Sequence, residues 1–502
     1  MNRVRLAVVA ATLLLSYAYF FQSGGWNQNS RFDLTRAIVE QRTIRIDSYH
    51  QNTGDKAFFR GHFYSTKAPG LAFAAVPVVA AARPFVRAAG LGVDALLYLA
   101  TVVTVALPTA IAGACLFQVA LTLGASVGGA AFAAIAFGLA TPIWCYATLF
   151  WGHALAAACL VFAFTAAVAL REFDSPRCDF TFGAILGLAT GWAAVTEYPA
   201  TPPAAMLVAL ALTHAWPDGR LRLLRIATGL AAGVLPCLVV LLGYQYATFG
   251  SPFRVGYMYT VNFASTMNEG FMGLTYPKWY VLREILVGSY RGLLPLAPIV
   301  GVAPLGFVLL WKGVRAGKIA AVSIAIAVYY VLLNAAFRDW HGGMTYAPRH
   351  LSPALPFLCI GLAPLWTRAT TAFRALLGGL ALFGVVMSLI AVSTTPMPPE
   401  TLKSPVSDLL WPAFRVGDLS ISPVESSSLD PKLHHLRTYA GYHPWNLGER
   451  AGLSGLFSLA PLFAIWAGAA AAWVGLGRHE RDLERYFEQV NGVRAINFFL
   501  AK

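Results

Sequence analysis

GHFYSTKAPG (61–70) is a polar stretch that gives way at once to LAFAAVPVVAAA (71–82), and NTGDKAFFR (52–60) precedes it. A carboxylate, a histidine, a tyrosine and a lysine therefore stand at the lip of an apolar segment, in a 502-residue chain that is 57% hydrophobic. Whether residues 71–86 cross a membrane or lie at its surface decides which loops share a compartment, and so where any chemistry can take place.

Composition settles the solvent. Mean hydropathy is +0.61 and only 12% of residues are charged, too few to cover the surface of a soluble domain of this length. Apolar runs long enough to span a bilayer recur along the whole chain. The net charge of +14 follows from Lys and Arg collecting in cytoplasmic loops and does not call for a nucleic-acid partner. Cys115, Cys145, Cys159, Cys178, Cys237 and Cys359 show no CxxC spacing, and most lie in apolar runs, where they act as small hydrophobes. The start, MNRVRLAVVAATLLLSYAYFF, has a signal-like basic head but no A-x-A cleavage site, and is expected to be an uncleaved first span.

Further spans are expected near 95–121, 126–145, 151–171, 180–197, 199–214, 224–247, 292–311, 318–337, 351–366, 372–394 and 456–476. Cytoplasmic connections are marked by Arg220, Arg222 and Arg225; by Lys312, Arg315 and Lys318; by Arg368 and Arg374; and by Arg478, Arg481 and Arg485. Counting back from the C-terminus puts 146–152, 198, 250–290, 338–350 and 395–455 outside. A cytoplasmic N-terminus fits that count only if 71–86 does not cross. This piece is short and carries Pro69, Pro77, Pro84, Arg83 and Arg87 at or near it, as a helix lying in the outer surface would. The expectation is an all-α polytopic protein with about twelve spans and both termini inside. Its membrane core covers 1–394 and includes a first outer loop at 23–94. An outer loop at 395–455, a last span at 456–476 and an amphipathic cytoplasmic tail at 477–502 follow. The first outer loop holds Asp33, Asp47, Asp55, His62, Tyr64 and Lys67, and the other outer loops add RDWHGGMTYAPRH (338–350), SYRG (289–292), TEYP (196–199) and TLFWGH (148–153). The basic connections hold little besides Lys and Arg, so chemistry is expected on the outer face.

A first span, an acid-bearing outer loop and then the step Tyr64-Ser65-Thr66-Lys67-Ala68-Pro69-Gly70 into a surface helix resemble the GT-C superfamily of glycosyltransferases. The likeness is to bacterial members grouped with the protein O-mannosyltransferases and the lipid A aminoarabinose transferases. DWHGGMTYAPRHLSPALPF (339–357) and GLSGLFSLAPL (452–462) carry it further along the chain. One departure stands out. Many relatives have an Asp-Glu pair early in the loop, where this chain has Asn29-Ser30 before Arg31-Phe32. The resemblance implies transfer of a sugar from a polyprenyl-phosphate carrier to a glycan, lipid or protein acceptor, at the outer face of a bacterial cytoplasmic membrane.

Such a reaction needs one carboxylate to take the acceptor's proton and cations to hold the departing phosphate. Asp55, beside Asn52-Thr53-Gly54 and expected to be accessible, is the first choice for the base, and Asp33, nearest the missing Asp-Glu pair, is the second. Asp47 reads as a turn residue. Lys67, Arg349, His350 and Arg291 are candidates for the donor phosphate, although snorkelling and headgroup anchoring explain such residues equally well. Tyr64, His62, Trp340, His341, His153 and Glu197 are candidates for substrate contact. His153 and Glu197 have the chemistry to bind a divalent metal, but no spacing such as H-x-x-x-H supports one, and no cofactor is expected. The absence of a Walker loop or G-x-G-x-x-G favours a lipid-linked donor over a nucleotide sugar. Two rivals are a secondary transporter, which usually carries its charges at midplane, and a lipid-linked glycan polymerase or ligase using His434, His435, Arg437 and Arg450.

Overall fold

The computed structural model describes residues 2–311, 314–422 and 443–491. His434, His435, Arg437, Lys312 and the tail beyond 491 lie outside them, as do the side chains of Arg315, Arg481 and Arg485. The architecture is all-α, with two two-stranded ribbons. Nine described helices are long and apolar enough to cross a membrane, and Val127–Leu139 and Ile299–Trp311 are shorter apolar helices. The multi-pass membrane protein expected from hydropathy is the one observed. Expected spans come out short where proline breaks the run: a separate short helix, Ile143–Ala147, follows Pro142, and Ile299–Trp311 starts after Pro298.

The chain opens with α1 (Asn2–Ala18) and the short strand β1 (Phe20–Phe21), then enters a polar helix, α2 (Trp26–Gln41). The hairpin β2 (Lys56–Phe59) and β3 (His62–Ser65) leads into α3 (Gly70–Ala88) and then the long α4 (Val93–Thr122). By length and composition α3 is among the nine, yet both its ends meet the same end of the bundle. Any Cβ on Gly70 would lie 2.8 Å from the backbone of Thr196, where a later helix stops. At the other end Asp94 pairs with Arg450 at 3.5 Å, and Tyr98 on α4 donates to the Ala18 carbonyl at the end of α1, 2.7 Å away. α3 therefore returns the chain to the end it started from.

After α4 come α5 (Val127–Leu139), α6 (Gly152–Glu172), α7 (Pro176–Thr196), α8 (Thr201–Ala215) and α9 (Arg220–Phe249). α7 and α9 pack tightly along their length, and glycine makes this possible. A Cβ on Gly187 would fall 2.2 Å from the Leu230 carbonyl oxygen, and one on Gly233 2.1 Å from that of Ala184. Only glycine permits this approach, the usual device where apolar surface alone cannot drive helices together. Asp179, fully buried, locks the far end of the pair through Arg222 and Arg225, each at 3.0 Å. The contact delivers the last turn of α9 beside Glu197 and Tyr198, where Gln245 donates to the Tyr198 hydroxyl at 3.2 Å.

The second half holds α10 (Ile299–Trp311), α11 (Val314–Ala336), α12 (Arg349–Arg368, opening with a 3-10 turn) and α13 (Thr371–Ser393). The strand β4 (Trp445–Asn446) pairs antiparallel with β1, Phe20 opposite Asn446, and so ties the late loop to the end of α1. The last helix, α14 (Ala460–Asn491), runs on through the start of the expected tail without a break, and its Glu480 pairs with Arg5.

Candidate functional site

α2 builds the site. Its sequence, WNQNSRFDLTRAIVEQ, is polar, yet every residue from Asn27 to Thr35 is buried. Buried polar groups must find partners, and here they reach into the loop that follows. Asn29 donates to the Asn52 carbonyl at 2.8 Å, and Ser30 Oγ donates to the Asp55 carbonyl at 2.6 Å while meeting Ser65 Oγ at 2.8 Å. Thr35 donates to the Ala72 carbonyl at 3.0 Å. The Asn29-Ser30 pair, standing where an Asp-Glu pair was looked for, thus holds the hairpin in place.

The hairpin turns at Arg60-Gly61, with φ of +48° and +83°, the left-handed pair that a two-residue type I′ turn requires. Its register, Lys56 opposite Ser65 and Phe59 opposite His62, sets the residues flanking its open end face to face. There Asp55 Oδ2 and Lys67 Nζ are 3.0 Å apart, with side chains 11% and 10% exposed. Asp55 is not the accessible loop acid expected from Asn52-Thr53-Gly54, because α2 covers it. Ser65 Oγ accepts the Lys67 backbone N–H at 3.2 Å, so Ser30 braces both members of the pair. The Lys67 ammonium stands 5.7 Å from the Tyr257 ring centroid. The loop bearing Tyr257 fits close because Gly256 lies where a Cβ would be 2.8 Å from Thr66 Cα.

A second ion pair stands beside the first. Arg31 donates to Glu197 Oε1 at 2.6 Å and to the Ala68 carbonyl, next to Lys67, at 3.2 Å. His153 Nδ1 is 3.8 Å from the same Glu197 oxygen. Gly152 makes room for this carboxylate, since a Cβ there would lie 2.2 Å from Oε1. The His153 ring meets His350 edge to face at 5.5 Å, and the Arg349 guanidinium lies 5.1 Å from the Trp151 ring centroid. His153 Nε2, Trp151 Nε1 and Arg349 Nε are buried without a hydrogen-bond partner.

Beyond Arg349 the loop 338–348 completes the wall. Asp339 and His341 pair at 3.0 Å. Burial works against the Asp339 carboxylate, but the His341 hydrogen bond and charge, backed by Arg349 and His350, prevail and hold it at about 2. Trp340 meets Tyr290 edge to face at 6.0 Å. Arg291 is fully buried, donates to the Gly343 carbonyl at 3.1 Å and stacks on Tyr290 at 4.1 Å. Neither Arg291 nor Arg349 forms an ion pair among the described residues.

The pair of Asp55 and Lys67, the pair of Arg31 and Glu197 with His153, and His350 with Arg349 therefore form one connected polar cluster, next to Arg291, Trp340 and His341. His62 does not join it: at the turn of the hairpin it pairs with Asp47 at 2.8 Å. Tyr64 packs against Phe249 at 5.8 Å, away from the pair. Asp33 is fully buried beneath Asn52, which donates to its Oδ1 at 3.0 Å. Burial, the largest influence, lifts Asp33 to about 8, against the Asn52 hydrogen bond and the Arg36 charge. Arg31, Trp151 and Tyr257 were not among the sequence candidates. The signal for Arg31 was present in Asn27 and Arg31, one helical turn apart in an all-polar run. Among the described residues, no group of three or more His, Cys, Asp or Glu is placed to hold a metal ion.

No protein-family model matches the chain, and no curated protein does. Among solved structures, the chain is similar to ArnT from Cupriavidus metallidurans bound to undecaprenyl phosphate, at 17% identity and TM-score 0.48 over 87% of this chain and 73% of that one. The apo state of the same protein gives 17% identity and TM-score 0.49 with the same coverage. The archaeal oligosaccharyltransferase AglB from Archaeoglobus fulgidus, in complex with an inhibitory peptide and a dolichol-phosphate, is 11% identical with TM-score 0.42, over 78% of this chain and 55% of that one.

Proposed function

We propose that this protein is a GT-C-type membrane glycosyltransferase that moves a sugar from a polyprenyl-phosphate carrier to an acceptor hydroxyl at the outer face of the cytoplasmic membrane. The observation that carries this reading is the nearly buried pair of Asp55 and Lys67, 3.0 Å apart at one end of a membrane bundle. Sugar transfer from a lipid phosphate needs this combination. The acceptor oxygen attacks the anomeric carbon, its proton passes to Asp55, and the bond to the phosphate breaks. The charge left on the phosphate faces Lys67, in a partly desolvated setting where such contacts are strong. Lys67 is held by Asp55 in the resting site. An arriving phosphate gives the ammonium a second partner and frees the carboxylate for the acceptor. Arg291, fully buried, and Arg349, partly buried, both lack a carboxylate partner among the described residues and add positive field beside the pair, and Trp340 and His341 offer a face for the sugar.

The test is turnover. Purified protein in lipid nanodiscs, given synthetic polyprenyl-phosphate sugars and a panel of hydroxyl acceptors, should release polyprenyl phosphate and yield glycosylated acceptor. Use of nucleotide sugars with no turnover of any lipid-linked donor would overturn the reading. The outer-face assignment has its own check. A single cysteine at 89–93 in a cysteine-depleted protein should react with a membrane-impermeant reagent in intact cells, because both ends of α3 share the site's end of the bundle. Labelling by permeant reagents alone would place that end inside.

A further inference from the structure

We propose that Asp33 is a protonated positioning residue, joined to Asn52 in a cyclic acid–amide pair that holds the Asp55 loop in register. The inference deepens the glycosyltransfer reading and rests on it for its kinetic consequence. It starts from missing donors. Asp33 Oδ1 accepts from Asn52 Nδ2 at 3.0 Å. Asp33 Oδ2 and Asn52 Oδ1 are both buried with no hydrogen-bond partner, and so is Asn29 Oδ1. An ionised Asp33 would add a charge to a group of acceptor oxygens, and it forms no ion pair among the described residues. Two acceptors left over on two groups already bonded to each other lack one thing, a proton between them. Placed on Oδ2, that proton satisfies the carboxyl and the amide oxygen at once.

The pair has something to position. Asn52 is three residues ahead of Asp55, and the segment between them is tied down at each step. The Asn52 carbonyl accepts from Asn29 at 2.8 Å. Thr53 Oγ1 donates to the Trp26 carbonyl at 2.8 Å and accepts the Asp55 N–H at 3.1 Å. Ser30 holds the Asp55 carbonyl at 2.6 Å. Asp33 anchors the upstream end of this tie and Ser30 the downstream end.

The charged and titratable groups around Asp33 leave this proton in place. On its own helix, Arg36 acts on it, but Arg36 is paired with Glu40 at 3.2 Å and stacked on Tyr49 at 4.2 Å. From the turn above come Tyr49, whose hydroxyl donates to Glu40 at 3.0 Å, and His50, whose carbonyl accepts from Lys56 at 2.7 Å. Asp55 and Lys67 beyond the hairpin pair with each other, and Arg83 on α3 acts on Glu40. With burial the leading influence, Asp33 titrates at about 8. The folded protein holds this proton where the unfolded chain has lost it. The contribution to stability is therefore full below the ordinary Asp range near 3.8 and is lost as pH rises through about 8.

The experiment separates a positioning acid from a base and from a metal ligand. Infrared titration of donor-free protein should show a protonated carboxyl band at neutral pH that disappears near pH 8 and is absent in Asp33→Asn. Wild-type kcat should fall as pH rises through the same range while donor binding holds. Asp33→Asn keeps an amide–amide pair that cannot titrate, so it should turn over near the wild-type rate at neutral pH without that alkaline fall. Asp33→Leu, which breaks the pair, should lose about tenfold in kcat at every pH. The proposal is overturned if the band is missing at neutral pH, or if folded Asp33→Asn is inactive at every pH, which would make Asp33 the base. Stoichiometric Mn2+ binding that Asp33→Asn abolishes would also overturn it. A titrating band in a protein that turns over no lipid-linked donor would sink the glycosyltransfer reading while leaving the acid–amide pair standing.

Discussion

Asp55→Asn should lower turnover by about 10²–10⁴-fold while the protein stays folded and donor binding stays near normal. The substitution keeps the volume of the side chain, and its amide oxygen can still accept from Lys67. What is removed is the ability to take a proton, together with the negative charge opposite Lys67, so the melting temperature should fall by part of the cost of breaking a buried pair. The hairpin is held to α2 through the Asp55 backbone carbonyl, which Ser30 bonds at 2.6 Å, so changing the side chain leaves that brace untouched. Single-turnover measurements with pre-bound donor are the sharpest check, because they isolate the chemical step from binding and release. A folded Asp55→Asn protein that turns over at the wild-type rate would remove Asp55 from the base role. The nearest remaining carboxylate on the wall, Glu197, would inherit the role only by breaking its pair with Arg31.

The helical bundle could be read from the chain because spanning length and apolar composition are local properties, and the basic clusters give direction to the count. The placement of α3 was read from the parity of the spans together with its shortness, prolines and arginines, and both its ends meet one end of the bundle. The site was legible only in part. Asp55 and Lys67 are close in sequence, and a hairpin turning at Arg60-Gly61 brings them opposite each other. His62 and Tyr64 belong to the same stretch, but one stands at the turn and the other packs on Phe249, so nearness in sequence misplaced both. Burial was the other blind spot. Asp55 and Asp33 looked like loop acids, but Asp33 lies on α2, and α2 and the 52–55 segment bury each other's acids in a way that the polar composition of α2 concealed. Arg31 with Glu197, and Arg349 with Trp151, are long-range pairs that no local pattern announces. Their ends meet because glycine at 152, 187 and 233 lets elements approach more closely than any other residue would.

Lys67→Ala should cost at least about tenfold in donor use, in kcat as well as in donor affinity, because a charge-assisted contact to the departing phosphate strengthens as the bond breaks. The structure raises a competing explanation. Lys67 is also the counter-ion of a buried carboxylate, and removing one partner of such a pair is destabilising in its own right, by about 3–5 kcal/mol when burial is complete. With one-tenth of each side chain still exposed, the cost here is smaller. A double mutant separates the two effects. Asp55→Asn/Lys67→Ala contains no unpaired charge, so its melting temperature should recover relative to Lys67→Ala alone. If Lys67 grips the phosphate, binding of polyprenyl phosphate, followed by its phosphorus NMR shift, should be weak in both proteins that lack the lysine and normal in Asp55→Asn. Lys67→Arg, which keeps the charge but changes its shape, should restore part of the binding. Were the double mutant to bind polyprenyl phosphate as the wild type does, Lys67 would be only the partner of Asp55, and the phosphate would belong to Arg349 and Arg291, the two nearby cations that have no carboxylate to hold them among the described residues.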